Sequence, residues 1–537
     1  MRYIISIFLV SCLSFCRIFS QALPLIPLPS EIKQGTGVFT ITSATKIVLK
    51  TDSSEVKKDC DLFLDLINPS TGLNIDYASS STSPIIVEIN PQIAHPEGYY
   101  LKVTTRDVTI RARTSAGIFY AFQTLRQLLP PYIESRSVIA NQRWTIPVVE
   151  INDAPRFSYR GLMLDVARHF FPVGDVKRYI DLMSLYKYNY LHLHLTDDQG
   201  WRVELHYFPR LQSISAWRRE TIIGHLNDEP RRYDGIRYGG YYTQAELREL
   251  IRYAADRHIT IVPEINLPGH ASALLAAYPE LACSGGYFEV AREWGIFPNI
   301  LCPREDTFMT LEHLLNEVMY IFPSKYIHIG GNDVPKEQWQ KSEFCHNLKI
   351  QNNLQTDEQL HTWFMRRVAQ IVQQYGRRAI GWDELLDGGN IFGATIMSRR
   401  GEQEAIEAAK KGYNIIMTPN RQCYFDYYQA SRSIEQPLAQ TGYLPLSMVY
   451  QYDPVPKKLT DDQKMCILGT QGNLWTEYIP DMRQAEYMTY PRACALAEVA
   501  WTPADKKSYN QFVVRLRGHS NRLGMMNVNF ARHFLVN

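Results

Sequence analysis

Two adjacent polar side chains, Asn332 and Asp333, follow the stretch Tyr326-Ile327-His328-Ile329-Gly330-Gly331. Alternating apolar, β-branched residues run into a Gly-Gly turn there. A buried strand that ends this way presents its next side chains at a loop mouth, where barrel enzymes keep their catalytic groups. Asp333 can give or take a proton. Asn332 can accept a hydrogen bond through its amide oxygen but supplies no charge. Other apolar runs close on polar groups in the same way. Asp165 and Arg168 follow Tyr159–Leu164, Asp197 and Asp198 follow Tyr190–Leu195, and Asn266 and His270 follow Ile259–Ile265. Each has a plain alternative when taken singly: Asp165 and Arg168 as a structural ion pair, Asp-Asp as a solvated loop, and the histidine as a core residue.

These groups need strands to hold them. Eight short apolar segments read as strands: Tyr159–Leu164, Tyr190–Leu195, Ile259–Ile265, Tyr326–Ile329, Arg378–Trp382, Ala394–Met397, Asn414–Met417 and Ile467–Thr470. Helical patterns lie between them, as in Val173–Tyr186, Thr243–Arg257 and Thr356–Gln374. Strands alternating with helices imply an α/β fold with a closed parallel (β/α)8 barrel, whose site lies at the C-terminal strand ends. The residues before it mix strands and helices. Val38–Leu49 and Pro84–Ile89 are strand-like, and Val56–Asn68 has helical spacing with Ser53 or Ser54 as cap. Gly98–Val103 and Val108–Ala112 form a hairpin turned at Arg106-Asp107, and the helix Thr114–Leu129 ends at Pro130-Pro131. Ile151-Asn152-Asp153-Ala154-Pro155 is the expected boundary, giving a small α/β domain over 23–152 and a barrel over 153–537.

Of the 537 residues 45% are apolar, enough for a large core, and the length suits two or three domains. The formal net charge is only +2 and no basic tract stands out, so neither nucleic acid nor an anionic membrane is an expected partner. Residues 1–22 read as an export signal: Arg2, an apolar run from Ile4 to Phe15, then Ser20-Gln21-Ala22 for cleavage. Phe15 is too bulky for lipoprotein processing at Cys16. No later stretch is long and apolar enough to span a membrane. Asn68-Pro-Ser is blocked by its proline as a glycosylation acceptor, and no other acceptor occurs, which points to a bacterial periplasm or exterior. Nine cysteines leave seven after cleavage, so at least one thiol stays free. Cys283 and Cys302 flank a glycine-containing loop and could pair. No Cys or His spacing matches a zinc site, and no metal or cofactor is expected.

The stretch 326–336 closely resembles the signature of the family-20 glycoside hydrolases, the β-N-acetylhexosaminidases. That family has Asp then Glu where this chain has Asn332 and Asp333. The resemblance spans nearly all of residues 23–537 and implies the barrel with its preceding small domain. It implies that Arg168 grips sugar hydroxyls, and that Asp197 supports His270, which supports the acid/base. It makes Trp382 a wall of the acetamido pocket, Tyr424 the donor to the acetamido oxygen, and Asp426 a hydroxyl contact. Trp475 becomes the stacking floor, and Glu477 the acceptor for outer hydroxyls. Two further positions depart: Asn266 stands where the family has Asp, and Arg399 where it has Trp.

Family 20 is an exception among retaining glycosidases, because the substrate's own 2-acetamido group attacks C1. One carboxylate orients that group and balances the oxazolinium charge, and the other protonates the leaving oxygen. The resemblance therefore implies an exo-acting glycosidase for terminal β-linked N-acetylglucosamine or N-acetylgalactosamine, impaired or altered by Asn332 and Asp333. The alternative is a hexosaminide-binding pseudoenzyme. Arg399 must be paired, exposed or in a reshaped pocket, because burying its charge alone is costly.

Overall fold

The computed structural model describes residues 23–431 and 433–535. The expected export signal, with Cys16, lies outside the described residues.

Residues ahead of the barrel form a six-stranded sheet of β1 (Glu31–Thr40), β2 (Thr45–Leu49), β3 (Ser83–Ile89), β4 (Tyr99–Val103), β5 (Val108–Ala112) and β6 (Thr145–Asp153). Its strand order is β1-β6-β4-β5-β3-β2. Helices α1 (Ser54–Thr71) and α2 (Ser115–Leu128) share one buried cluster with it, with Phe63 of α1 stacked on Phe122 of α2 at 4.5 Å. Ser53 caps α1 through its side chain, which accepts from the Val56 amide. The β4–β5 hairpin and α2 lie where the sequence places them.

The single strand expected over Val38–Leu49 is two. A turn in which the Thr45 amide donates to the Thr42 carbonyl separates β1 from β2, and these take opposite edges of the sheet. Most of β1, and all of β6 before Ile151, went unread because Gly35, Gly37 and Pro147 break the strand pattern. The structure gives each break a place. A Cβ on Gly35 would meet Val148 at 2.7 Å, and Pro147 pairs with Val38 where the β1–β6 register shifts.

Eight parallel strands close the barrel: β7 (Tyr159–Asp165), β8 (Tyr190–Asp197), β9 (Thr260–Leu267), β10 (Tyr326–Gly330), β11 (Arg378–Trp382), β12 (Thr395–Ser398), β13 (Asn414–Met417) and β14 (Ile467–Leu474). Each pairs with the next, and β14 returns to β7 in register from Gly469–Tyr159 to Leu474–Leu164. Amphipathic helices ring it, among them α3 (Val173–Leu185), α4 (Gln244–Ala255), α5 (Glu305–Ile321), α6 (Asp357–Gln374), α7 (Glu402–Lys410) and α8 (Arg492–Trp501). Thr243 caps α4 in a capping box with Glu246, and Thr356 caps α6. Inward-facing Tyr159, Met163, Val262, Ile380, Met397 and Ile416 pack the barrel interior. No helix among the described residues is long and apolar enough to cross a membrane.

The small sheet grips the barrel through buried charge. Asp153, at the end of β6, accepts from Tyr99 Oη at 2.6 Å and Trp501 Nε1 at 2.9 Å, and pairs with Lys187 Nζ at 3.2 Å. Arg160 of β7 pairs with Glu97 at 2.7 Å. Arg160 is the second residue of β7 and Lys187 precedes β8, so these contacts lie at the N-terminal strand ends and leave the site to the loops at the other end.

Candidate active site

The site is built outward from one carboxylate inside the barrel. Glu264 of β9 is fully buried. It meets His192 Nε2 at 3.0 Å, His194 Nδ1 at 2.5 Å, His328 Nδ1 at 3.1 Å and Trp382 Nε1 at 2.9 Å. These partners come from β8, β10 and β11, so a single side chain ties together four strands that lead to the site. Burial opposes its charge, but the facing His328 and His194 rings hold the Glu264 carboxyl well below its usual range. Burial likewise opposes a charge on His194, yet Glu264 and then Asp197 lift that imidazole to about 10. Burial and the neighbouring His328 push His192 down to about 4, so His194 carries the proton.

His194 Nε2 reaches Asp197 Oδ2 at 2.8 Å, which also pairs with Arg168 Nη2 at 2.9 Å. Arg168 is fixed further by Asp165 at 3.0 Å and by Gln199 Oε1 at 3.0 Å. The structural Asp165–Arg168 pair and a sugar-facing role therefore coexist, because Arg168 Nη1 also lies 3.9 Å from Glu477. His270 Nδ1 lies 2.9 Å from both Asp197 Oδ1 and Asp198 Oδ2. Asp198 thus shares the support of His270 with Asp197, and the Ser272 amide donates to it at 2.9 Å. Burial works against a charged His270, but Asp197 and then Asp198 and Asp333 hold it well above its usual value. Asp197–Asp198–His270 and His192–Glu264–His328 have ligand atoms close enough to hold a cation, but these groups are turned on one another.

The turn after β10 aims the next pair. Gly330 and Gly331 adopt φ of +74° and +98°, and Asp333 itself takes +49°. A Cβ on Gly330 would fall 1.9 Å from Asn266 Oδ1, and one on Gly331 would fall 2.0 Å from Leu385 Cδ1, so only glycine fits either position. Asn332 is buried and its Nδ2 donates to Asp333 Oδ2 at 3.1 Å. His270 Nε2 approaches the same carboxylate at 3.8 Å.

Arg399, at the exit of β12, is paired. Its Nη2 donates to Asp333 Oδ1 at 2.6 Å, and its Nε to Glu384 Oε1 at 2.7 Å, with a second, closer contact from Nη2 to Glu384. Sequence reasoning missed Glu384, which lies in the 3-10 turn Asp383–Leu386 beyond β11. Burial alone would raise the Asp333 carboxyl, but the His270 contact and the Arg399 charge drive it far below its usual range. The result is one alternating series of charges: Glu264, His194, Asp197, His270, Asp333, Arg399, Glu384.

Trp382, Tyr424 and Arg168 surround Trp475. Its ring lies 5.8 Å from Trp382 and 6.2 Å from Tyr424, and Arg168 stands 5.1 Å over it. Asp426 and Glu477 are both held above their usual range, by burial and then by mutual repulsion for Asp426 and by burial and nearby Asp165 for Glu477. Asn332 Oδ1, Tyr424 Oη, Asp426 Oδ1 and Glu477 Oε2 are buried without a protein hydrogen-bond partner, as are both polar atoms of Asn266. Unpaired buried polar atoms are costly, and with Tyr424 beside the Trp475 ring they suit a hydroxylated ligand. Contacts thus link Arg168, Asp197, His270, Asn332, Asp333 and Arg399 in one series, with Trp382, Tyr424, Trp475 and Glu477 joined to it through Arg168 and Trp475.

The sequence matches the family model described as glycosyl hydrolase family 20, catalytic domain, over residues 157–504, and that family's domain 2 over 22–154. The chain belongs to glycosyl hydrolase family 20. Among curated relatives it is 39% identical to the beta-hexosaminidase of Porphyromonas gingivalis, across 95% of this chain and 65% of that protein. An exo beta-N-acetylglucosaminidase of the family from Vibrio harveyi, solved in complex with N-acetylglucosamine, superposes with a TM-score of 0.84 at 32% identity, covering 95% of this chain and 78% of the other. An Asp-to-Asn mutant of Streptomyces plicatus beta-hexosaminidase, in complex with product (GlcNAc), superposes with a TM-score of 0.82 at 33% identity, covering 95% and 96%.

Glu264→Gln should lower unfolding free energy by about 3 kcal/mol at neutral pH, because charge-assisted bonds from several donors are lost. His194, raised to about 10 in the fold, contributes fully below its unfolded value and loses that contribution as pH rises through about 10. The difference from wild type in urea unfolding should therefore shrink progressively as pH rises from about 6.5, the unfolded histidine value, to about 10. A difference that does not change with pH would mean that His194 is not charged by Glu264.

Proposed function

We propose that this chain is an exo-acting β-N-acetylhexosaminidase-type hydrolase for terminal β-linked N-acetylglucosamine or N-acetylgalactosamine, with turnover held down by its altered acidic pair. The observation that carries this reading is the bond from Arg399 Nη2 to Asp333 Oδ1 at 2.6 Å. In the substrate-assisted route the acetamido oxygen attacks C1 and the leaving oxygen takes a proton from the enzyme. Asn332 Oδ1 is free to accept the acetamido N–H, and Tyr424 Oη to donate to its oxygen. Asn332 cannot balance the oxazolinium charge, and such electrostatic balance is often the largest catalytic contribution. Asp333 is held as the anion between His270 and Arg399, so it lacks the proton a general acid must give.

Binding without turnover is the second reading, and the same ion pair favours it. A Streptomyces plicatus beta-hexosaminidase with an Asp-to-Asn substitution still holds product (GlcNAc), which supports the idea that losing one carboxylate is compatible with sugar binding. Residues 1–22 support an exported location on sequence pattern alone.

Calorimetric titration with N-acetylglucosamine and N-acetylgalactosamine, run beside hydrolysis of the aryl β-N-acetylglucosaminide, tests the proposal. Saturable binding of at least one sugar is expected, and Trp475→Ala should weaken it by about 1–3 kcal/mol through the lost stacking face. No affinity for either sugar would sink both readings.

A further inference from the structure

Cys283 and Cys302 are joined in a disulfide, and the loop it closes lies against the rim of the site. The Ala291 amide donates to the Asp198 carbonyl at 2.9 Å, and the Glu293 carbonyl accepts from Gln199 Nε2 at 2.8 Å. Asp198 and Gln199 are the side chains that hold His270 and Arg168. A third sulfur touches this disulfide: Cys345 Sγ lies 3.4 Å from Cys283 Sγ. Cys345 sits in the short helix Glu343–Gln351, in the segment that follows the Asn332–Asp333 turn, and its amide is capped by Ser342 Oγ at 3.3 Å.

We propose that Cys345 is a resident nucleophile for this disulfide, so that the protein interconverts between a Cys283–Cys302 form and a Cys283–Cys345 form. The Cys345 thiolate attacks Cys283 Sγ, and the new S–S bond forms as the Cys283–Cys302 bond breaks. Cys302 leaves as a thiolate and takes up the proton that Cys345 released. No electrons are gained or lost overall, so no outside oxidant is needed. Cys345 and Cys302 are both buried, which favours the internal thiol over dissolved ones. Burial also raises the Cys345 thiol, so exchange is slow at neutral pH and quickens roughly tenfold per pH unit toward the thiol value. In the second form the loop is anchored to the helix behind Asn332–Asp333 and its 300–302 end is released. The two forms therefore differ in how firmly Ala291 and Glu293 brace Asp198 and Gln199.

The test is non-reducing peptide mapping of the full protein, incubated at pH 7 to 9, alkylated and quenched in acid before digestion. Trypsin cuts at Arg292, Arg304, Lys341 and Lys349, so the three cysteines fall on separate peptides. Wild type should yield a Cys283–Cys345 linked pair with Cys302 alkylated, appearing faster at higher pH. Cys345→Ser should abolish that alkylation of Cys302. Cys302→Ser, incubated with oxidised glutathione as the two-electron oxidant, should form the Cys283–Cys345 bond. Cys302 that stays unlabelled at pH 9 in wild type, or a Cys302→Ser protein in which Cys283 and Cys345 do not join under that oxidant, overturns the proposal.

Discussion

Asn332→Asp combined with Asp333→Glu should raise turnover of an aryl β-N-acetylglucosaminide by about 1,000-fold or more. Restoring a charge that balances a developing cation is worth roughly 100- to 1,000-fold. The second substitution returns one C–C bond of reach, about 1.5 Å, and misplacement on that scale costs roughly 100-fold. The two residues touch through the 3.1 Å bond from Asn332 Nδ2 to Asp333 Oδ2, so the gains will not simply multiply. A carboxylate at 332 would also repel its neighbour and raise that neighbour's pKa, the direction a general acid needs. Affinity for N-acetylglucosamine should change far less than turnover, because Asn332 already offers an acceptor oxygen. A gain of tenfold or less, about 1.4 kcal/mol in barrier, would show that the acidic pair does not limit this enzyme.

The barrel was readable because its strands are apolar runs that stop abruptly at polar or glycine-rich exits. Arg378–Trp382 and Asn414–Met417 keep the bounds read from their apolar runs, and the other six shift by a few residues. The edge of the small sheet was not readable, since Gly35, Gly37 and Pro147 serve a bulged pairing that only the partner strand explains. The same divide runs through the site. Residues at strand exits announce themselves by position, as Arg168, His270 and Trp475 do. Glu384 has no such signal, because what it does depends on Arg399, a residue 15 positions away whose guanidinium turns back across the β11–β12 exits. Glu264 looks like an isolated charge in an apolar strand until His192, His194 and His328 arrive from the neighbouring strands. The resemblance assigns only Asp197 to His270, whereas the chain turns at that point and brings both Asp197 and Asp198 to one ring nitrogen.

Arg399→Leu should free Asp333 as an acid while destabilising the fold. The side chain of Arg399 is 18% exposed, and it is shared by Asp333 at 28% and Glu384 at 13%. Removing that cation leaves Glu384 without its partner and Asp333 with His270 alone, which should cost about 3 kcal/mol at neutral pH. The sign follows from the direction of the Asp333 shift. Its folded value is depressed by His270 and Arg399, so its stabilising contribution is present above the unfolded carboxylate value, roughly 3.9, and is lost as pH falls through the folded value. The difference between wild type and variant in urea unfolding should therefore be greatest near pH 7 and shrink below pH ~4. Catalysis should move the other way. With Arg399 gone, the Asp333 carboxyl rises toward its ordinary range, and the alkaline limb of the pH–rate profile should shift to higher pH. Arg399→Trp, which removes the charge and adds an aromatic wall beside Trp382, should give the same limb shift. An alkaline limb unmoved in both variants, together with a pH-independent stability difference, would mean that Arg399 does not control the proton on Asp333.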